Sequence, residues 1–245
     1  WPSLGMQGVL MAVVLAWLIR PALPIQAPLP SAKWLGAGVS VSVVLTLLLE
    51  LPWYLGPRRP SSPAKSLAVI GDSVTAGLND RDVTWPRVLS ASGAATIFDA
   101  SQQGATLQSA SQQLARLDGR GDALLIEIGG NDLLEGLPLD QFAARLETLL
   151  QAARPQYETI VMLELPLPPL SNRYGVIQRR LARRYGVALI PKREFARVLT
   201  ASGSTVDSIH LSNRGQQRMA DIVRFWLRLP ETSHQSGEYH RADVR

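Results

Sequence analysis

The chain has 245 residues, 46% of them hydrophobic and 18% charged, with no cysteine, three histidines and a formal charge of +5. That length fits one domain of ordinary size plus an additional element, and the missing cysteines exclude disulfides, thiolate metal sites and a cysteine nucleophile. The basic excess is uneven: residues 1–60 hold four basic side chains against one acidic, whereas residues 61–245 hold 21 against 19. A near-neutral main body is a poor electrostatic footprint for nucleic acid, so nucleic acid is excluded as an expected partner.

Residues 1–19 carry no charged side chain, and residues 34–55 carry only Glu50. Both runs approach the roughly 20 apolar residues that cross a bilayer core at about 1.5 Å per residue. Trp1, Trp17, Trp34 and Trp53 lie near the run ends with Tyr54, as interfacial anchors do, and Glu50 falls at headgroup depth. The expectation is a membrane hairpin of two transmembrane helices over 1–56, set in a cell membrane of bacterial inner-membrane type. The competing reading is a signal peptide followed by a buried core helix, but the first run lacks a basic leader and a small-residue cleavage site. Basic residues do not assign the side of the membrane: Arg20 and Lys33 sit between the runs, and Arg58, Arg59 and Lys65 follow them. Residues 57–66, rich in proline, serine and basic side chains, read as a linker, and residues 231–245 as a polar flexible tail.

From residue 67 to 230, short apolar runs alternate with amphipathic stretches. Strands are expected at 67–70, 96–100, 123–128, 159–163 and 187–190, with helices around 85–92, 107–117, 139–153, 174–185 and 212–227. This alternation predicts an α/β fold, a three-layer α/β/α sandwich of flavodoxin size around a five-stranded parallel sheet. Such sheets bind ligands beyond the carboxyl ends of their strands. Four polar stretches fall there: GDSVTAG over 71–77, SQQGAT over 101–106, GGND over 129–132, and DSIH over 207–210.

Ser73 sits at a strand-to-helix turn, with its backbone N–H at a helix N-terminus. A serine hydroxyl needs a base, and His234 and His240 lie in the tail, which leaves His210. Asp207, three residues earlier, is near enough in sequence to orient the imidazole. Asn131 offers a side-chain amide, and the backbone N–H groups of Ser73 and Gly104 complete an expected oxyanion hole. Asp132 is expected to be structural, capping the next turn. Taken singly, each stretch is an ordinary turn, cap or surface pair; taken together on one edge they point to nucleophilic catalysis.

These blocks resemble the SGNH/GDSL hydrolase superfamily over about residues 67–228: Ser73 in GDSVTAG, Gly104, Asn131 in GGND, and Asp207 with His210 in DSIHLS. The resemblance implies a flavodoxin-like fold and a Ser-His-Asp hydrolase that cleaves carboxylic esters or thioesters through an acyl-enzyme. The implied substrates are small-molecule, lipid or acylated-glycan esters. Block two departs from the pattern, with Gln102 and Gln103 where members often carry an asparagine. The same triad serves an acyltransferase, and a catalytically silent membrane-bound binding protein is the reading from another class. No cofactor or metal is expected, since no phosphate-binding loop and too few metal ligands occur. Arg179, Arg180, Arg183 and Arg184, followed by Lys192, Arg193 and Arg197, read as a solvated basic face or as a contact for anionic lipid. The proline-rich segment after strand four either walls the cleft or simply leaves the sheet.

Overall fold

The computed structural model describes residues 36–45, 48, 59–60, 62–79, 81–166, 171–207 and 209–230. The chain divides into two compact units, Trp1–Pro57 and Arg58–Arg245. In the first, residues 36–45 are helical. The first apolar run and much of the second lie outside the described residues, as do the 231–245 tail and residues 167–169 of the proline-rich segment after strand four. Among the described residues no helix is long and apolar enough to cross a membrane.

In the second unit five strands form one wholly parallel sheet: β1 (Ser66–Gly71), β2 (Thr96–Asp99), β3 (Ala123–Glu127), β4 (Thr159–Leu163) and β5 (Ala188–Ile190), in spatial order β2-β1-β3-β4-β5. Between and after them run α1 (Ser73–Ala76), α2 (Trp85–Ala91), α3 (Leu107–Leu117), α4 (Gly130–Leu134), α5 (Leu139–Ala153), α6 (Asn172–Tyr185), α7 (Lys192–Thr200) and α8 (Asn213–Leu227). The expected strands are present: 159–163 is unchanged, and the other four differ by one residue at one or both ends. Ser212, expected as the first residue of the last helix, is instead its cap, accepting the Gly215 N–H at 3.2 Å.

Alternate strand residues feed two cores. Ala68, Ile70, Leu124, Ile126, Ile160 and Met162 face α3, α5 and α6; Leu67, Val69, Ala123, Leu125, Val161 and Leu163 face α2, α7 and α8. Apolar side chains on both faces explain why β1, β3 and β4 read as continuous hydrophobic runs rather than as alternating ones. The strand order reverses between β1 and β3, which opens a crevice beyond their carboxyl ends.

The basic helix face differs from expectation. Arg179 is buried, its Nε donating to Glu164 at 2.6 Å, and Arg184 pairs with Glu147 at 2.7 Å. Arg193 and Arg197 both pair with Glu194. Position 179 follows Gly175 by four and precedes Ala182 by three, so it falls on the buried stripe of α6.

Candidate active site

β1 delivers the GDS tripeptide to the crevice. Gln113, fully buried on α3, grips Gly71 at both ends: its Oε1 accepts the Gly71 N–H at 2.9 Å and its Nε2 donates to the Gly71 carbonyl at 3.0 Å. Asp72 then caps α1, its Oδ1 accepting the Val74 N–H at 2.9 Å. Ser73 follows as the first helical residue. It has no carbonyl a turn earlier to bond, so its N–H stays available to a ligand. Its side chain is half-buried at the sheet edge.

The loop carrying Asp207 and His210 is drawn together by the Thr205–Leu211 bridge and by Val206 N–H donating to the His210 carbonyl at 2.9 Å. It is seated against the first turn of α8, where Gly215 packs so closely on Ser204 that a Cβ would lie 1.9 Å from the Ser204 carbonyl oxygen. Within the loop, Asp207 Oδ1 accepts the N–H groups of Ile209 and His210, both at 2.7 Å, and Oδ2 lies 2.7 Å from His210 Nδ1. The bond to the His210 ring and then the two backbone N–H groups hold the Asp207 carboxyl well below the usual carboxylate range. An ionised Asp207 only accepts, so Nδ1 carries the proton it donates, and Nε2 is left to accept. His210 Nε2 lies 3.1 Å from Ser73 Oγ. Three residues from two distant parts of the chain are thus joined as hydroxyl, imidazole and carboxylate.

Gly104 occupies the left-handed position (φ 66°) of a turn closed by Ala105 N–H on the Gln102 carbonyl at 3.2 Å. A methyl group there would meet nothing within 4 Å, so its backbone borders open space. Asn131, second residue of α4, donates from Nδ2 to the Ala105 carbonyl at 2.9 Å. This bond ties the GGND block to the Gly104 turn and leaves the second amide hydrogen of Asn131 for another acceptor. Both residues therefore sit beyond the carboxyl ends of β2 and β3, linked to each other through Ala105, while Ser73, His210 and Asp207 form the hydrogen-bonded chain.

Asp132 caps a helix other than the one expected. Its Oδ2 accepts the Leu107 N–H at 2.8 Å, at the start of α3 rather than at its own turn. Sequence reasoning passed over Glu127, Asp72 and Gln113. Glu127 did carry a signal, since it is the lone charged residue ending an otherwise apolar, wholly buried strand, ALLIE. Among the described residues no group of three or more histidine, aspartate or glutamate side chains is placed to hold a metal ion.

Residues 69–218 match the GDSL-like lipase/acylhydrolase family. The Escherichia coli K12 protein named thioesterase 1/protease 1/lysophospholipase L1 is 28% identical over 189 residues, covering 72% of this chain and 89% of its own length. Esterase TesA of Pseudomonas aeruginosa is 31% identical over 145 residues, 52% of this chain and 70% of its own. Among solved structures, one of TesA aligns with a TM-score of 0.58 at 28% identity, covering 66% of this chain and 97% of that one. The esterase EstA from Pseudoalteromonas, inhibited by monoethylphosphonate, aligns at 0.58 with 20% identity over 67% and 99%. That second likeness speaks to the fold alone.

Proposed function

The chain belongs to the GDSL-like lipase/acylhydrolase family and is an esterase of that type, and from this premise we propose that Ser73 is its nucleophile, His210 its general base and Asp207 the carboxylate that orients the imidazole. The observation that supports this most is the continuous relay of 3.1 Å and 2.7 Å from Ser73 Oγ through His210 to Asp207. In this reading Ser73 Oγ attacks the carbonyl carbon of a carboxylic ester or thioester as its proton passes to His210 Nε2. The oxyanion is received by the N–H groups of Ser73 and Gly104 and the free amide hydrogen of Asn131. Collapse expels the alcohol or thiol, which takes the proton from His210, and water then releases the acid by the same route.

The substrate class proposed is an acyl ester or thioester, in keeping with the thioesterase and lysophospholipase activities in the name of the E. coli relative. We further propose that residues 1–56 anchor the enzyme in a cell membrane through two helices. Two apolar runs of spanning length and the tryptophans at their ends support this. Ser73→Ala is expected to lower kcat on a short-chain nitrophenyl ester by about three orders of magnitude or more. It should also abolish labelling by a fluorophosphonate probe. Undiminished turnover in that variant would remove Ser73 from the role.

A further inference from the structure

Beneath Ser73 lies a second acidic residue that the relay does not use. Glu127, the last residue of β3, is 2% exposed, and Asp72, the cap of α1, is 4% exposed. Glu127 Oε2 accepts two hydrogen bonds, from Thr75 Oγ1 at 2.9 Å and from the Asp72 N–H at 3.3 Å. Thr75 itself accepts from Trp85 Nε1 at 3.3 Å. Asp72 Oδ1 meanwhile accepts the Val74 N–H at 2.9 Å, so two buried carboxyl groups sit at the start of one short helix. Two buried carboxylates this near in the fold repel each other unless one of them keeps a proton. Oε2 is already occupied as an acceptor, which leaves Oε1 to carry that proton.

We infer that Glu127 is a positioning residue for Ser73: as a neutral carboxylic acid it donates to the Asp72 carboxylate and fixes the cap from which the nucleophile's helix starts. The inference rests on the reading of Ser73 as nucleophile. The helix α1 is only four residues long, and its first two turn bonds, from Thr75 and Ala76 N–H, both end on the Asp72 carbonyl. The setting of Asp72 therefore sets the direction of Ser73, its neighbour. Glu127 holds Asp72 by its N–H and Thr75 by its hydroxyl, so it touches α1 on both sides of the nucleophile. Burial first, and the adjacent Asp72 charge second, push the Glu127 carboxyl well above its ordinary range. The other ionisable groups acting on the pair are His210 and Asp132, both through Asp72.

Glu127→Gln tests this, because glutamine keeps the shape, the two acceptor bonds and the donor to Asp72 but cannot ionise. Glu127→Ala removes all of them. Glutamine is expected to keep kcat near the parent value, whereas alanine lowers kcat and the rate of fluorophosphonate labelling by about tenfold to a hundredfold with little change in KM. A carboxyl group whose folded pKa is raised loses stability as pH rises from its unfolded value towards the folded one. The Tm of Glu127→Gln relative to the parent is therefore expected to climb as pH rises above the ordinary carboxylate range. A glutamine variant as impaired in kcat as the alanine one, or an alanine variant with parental kcat, overturns the inference. So does a relative Tm that stays flat or falls with pH. If alanine prevents folding, the kcat and Tm of the glutamine variant decide. Failure of the nucleophile reading is separate: Ser73→Ala would keep its turnover while the pH response of Glu127→Gln persisted.

Discussion

Asp207 is more than half exposed, yet its carboxylate is the most heavily bonded group in the relay. Three donors converge on it from within a span of four residues, so the bonds that orient Asp207 are local in sequence. Because the folded value lies below the unfolded one, Asp207 contributes its stabilisation in full above the ordinary carboxylate range. That contribution is lost only as pH falls through the depressed folded value. The acid–base state of Asp207 is thus constant across mildly acidic and neutral buffers. Asp207→Asn keeps the shape but replaces a pure acceptor with a group that also donates, which releases the imidazole from the tautomer that leaves Nε2 unprotonated. The expected loss in kcat is about a hundredfold to ten-thousandfold with KM little altered, read from ester turnover at neutral pH. A variant within a fewfold of the parent would show that the carboxylate does not orient His210.

Helix α6 shows why a charge run is a poor guide to a surface. The sequence presents Arg179 and Arg180 as equivalent, and composition alone assigns both to solvent. In the fold Arg179 reaches Glu164 just beyond β4, and the other Glu164 oxygen accepts the Lys192 N–H at 3.0 Å at the start of α7. One buried carboxylate thus joins the end of β4 to two helices, while Arg180 stays exposed. Removing one partner of a buried ion pair leaves the other charge uncompensated, so Arg179→Ala is expected to cost about 3–5 kcal/mol in denaturant unfolding. Arg180→Ala is expected to stay within about 0.5 kcal/mol of the parent. Equal effects would mean that the Glu164 contact does not support the fold. The same contrast marks what was legible at the level of elements. The strands were readable because their apolar runs are short and bounded by turn residues. Ser73 and the GGND block were readable because each follows a strand, and His210 because the other two histidines, His234 and His240, lie in the tail. The polar residues that hold those loops, Gln113 from α3, Glu127 from β3 and Asp132 under α3, act across 25 to 55 positions of sequence. No local pattern announces a partner at that distance.

At the scale of the whole chain, uneven composition and compact structure divide the molecule at nearly the same place. The apolar runs end at residue 55, and the second compact unit begins at Arg58. Both hydrophobic cores of that unit are drawn from Ala64 to Leu229, and Ser73, Gly104, Asn131, Asp207 and His210 all lie within the same span. A unit with its own core and its own site should fold and turn over without the segment that precedes it. Its 21 basic and 19 acidic side chains beyond residue 60 leave little net charge to draw it to anionic lipid, and Arg184, Arg193 and Arg197 are spent on local ion pairs. In the proposed function the membrane anchor is therefore assigned to residues 1–56 alone. A fragment beginning at Arg58 is expected to hydrolyse a soluble nitrophenyl ester with the kcat of the full chain. It is also expected to stay in the supernatant when spun with vesicles containing anionic phospholipid, while the full chain pellets with them. A full chain left in the supernatant would remove the anchor from the proposed function, and a fragment that pellets would return the basic helix to the role of lipid contact.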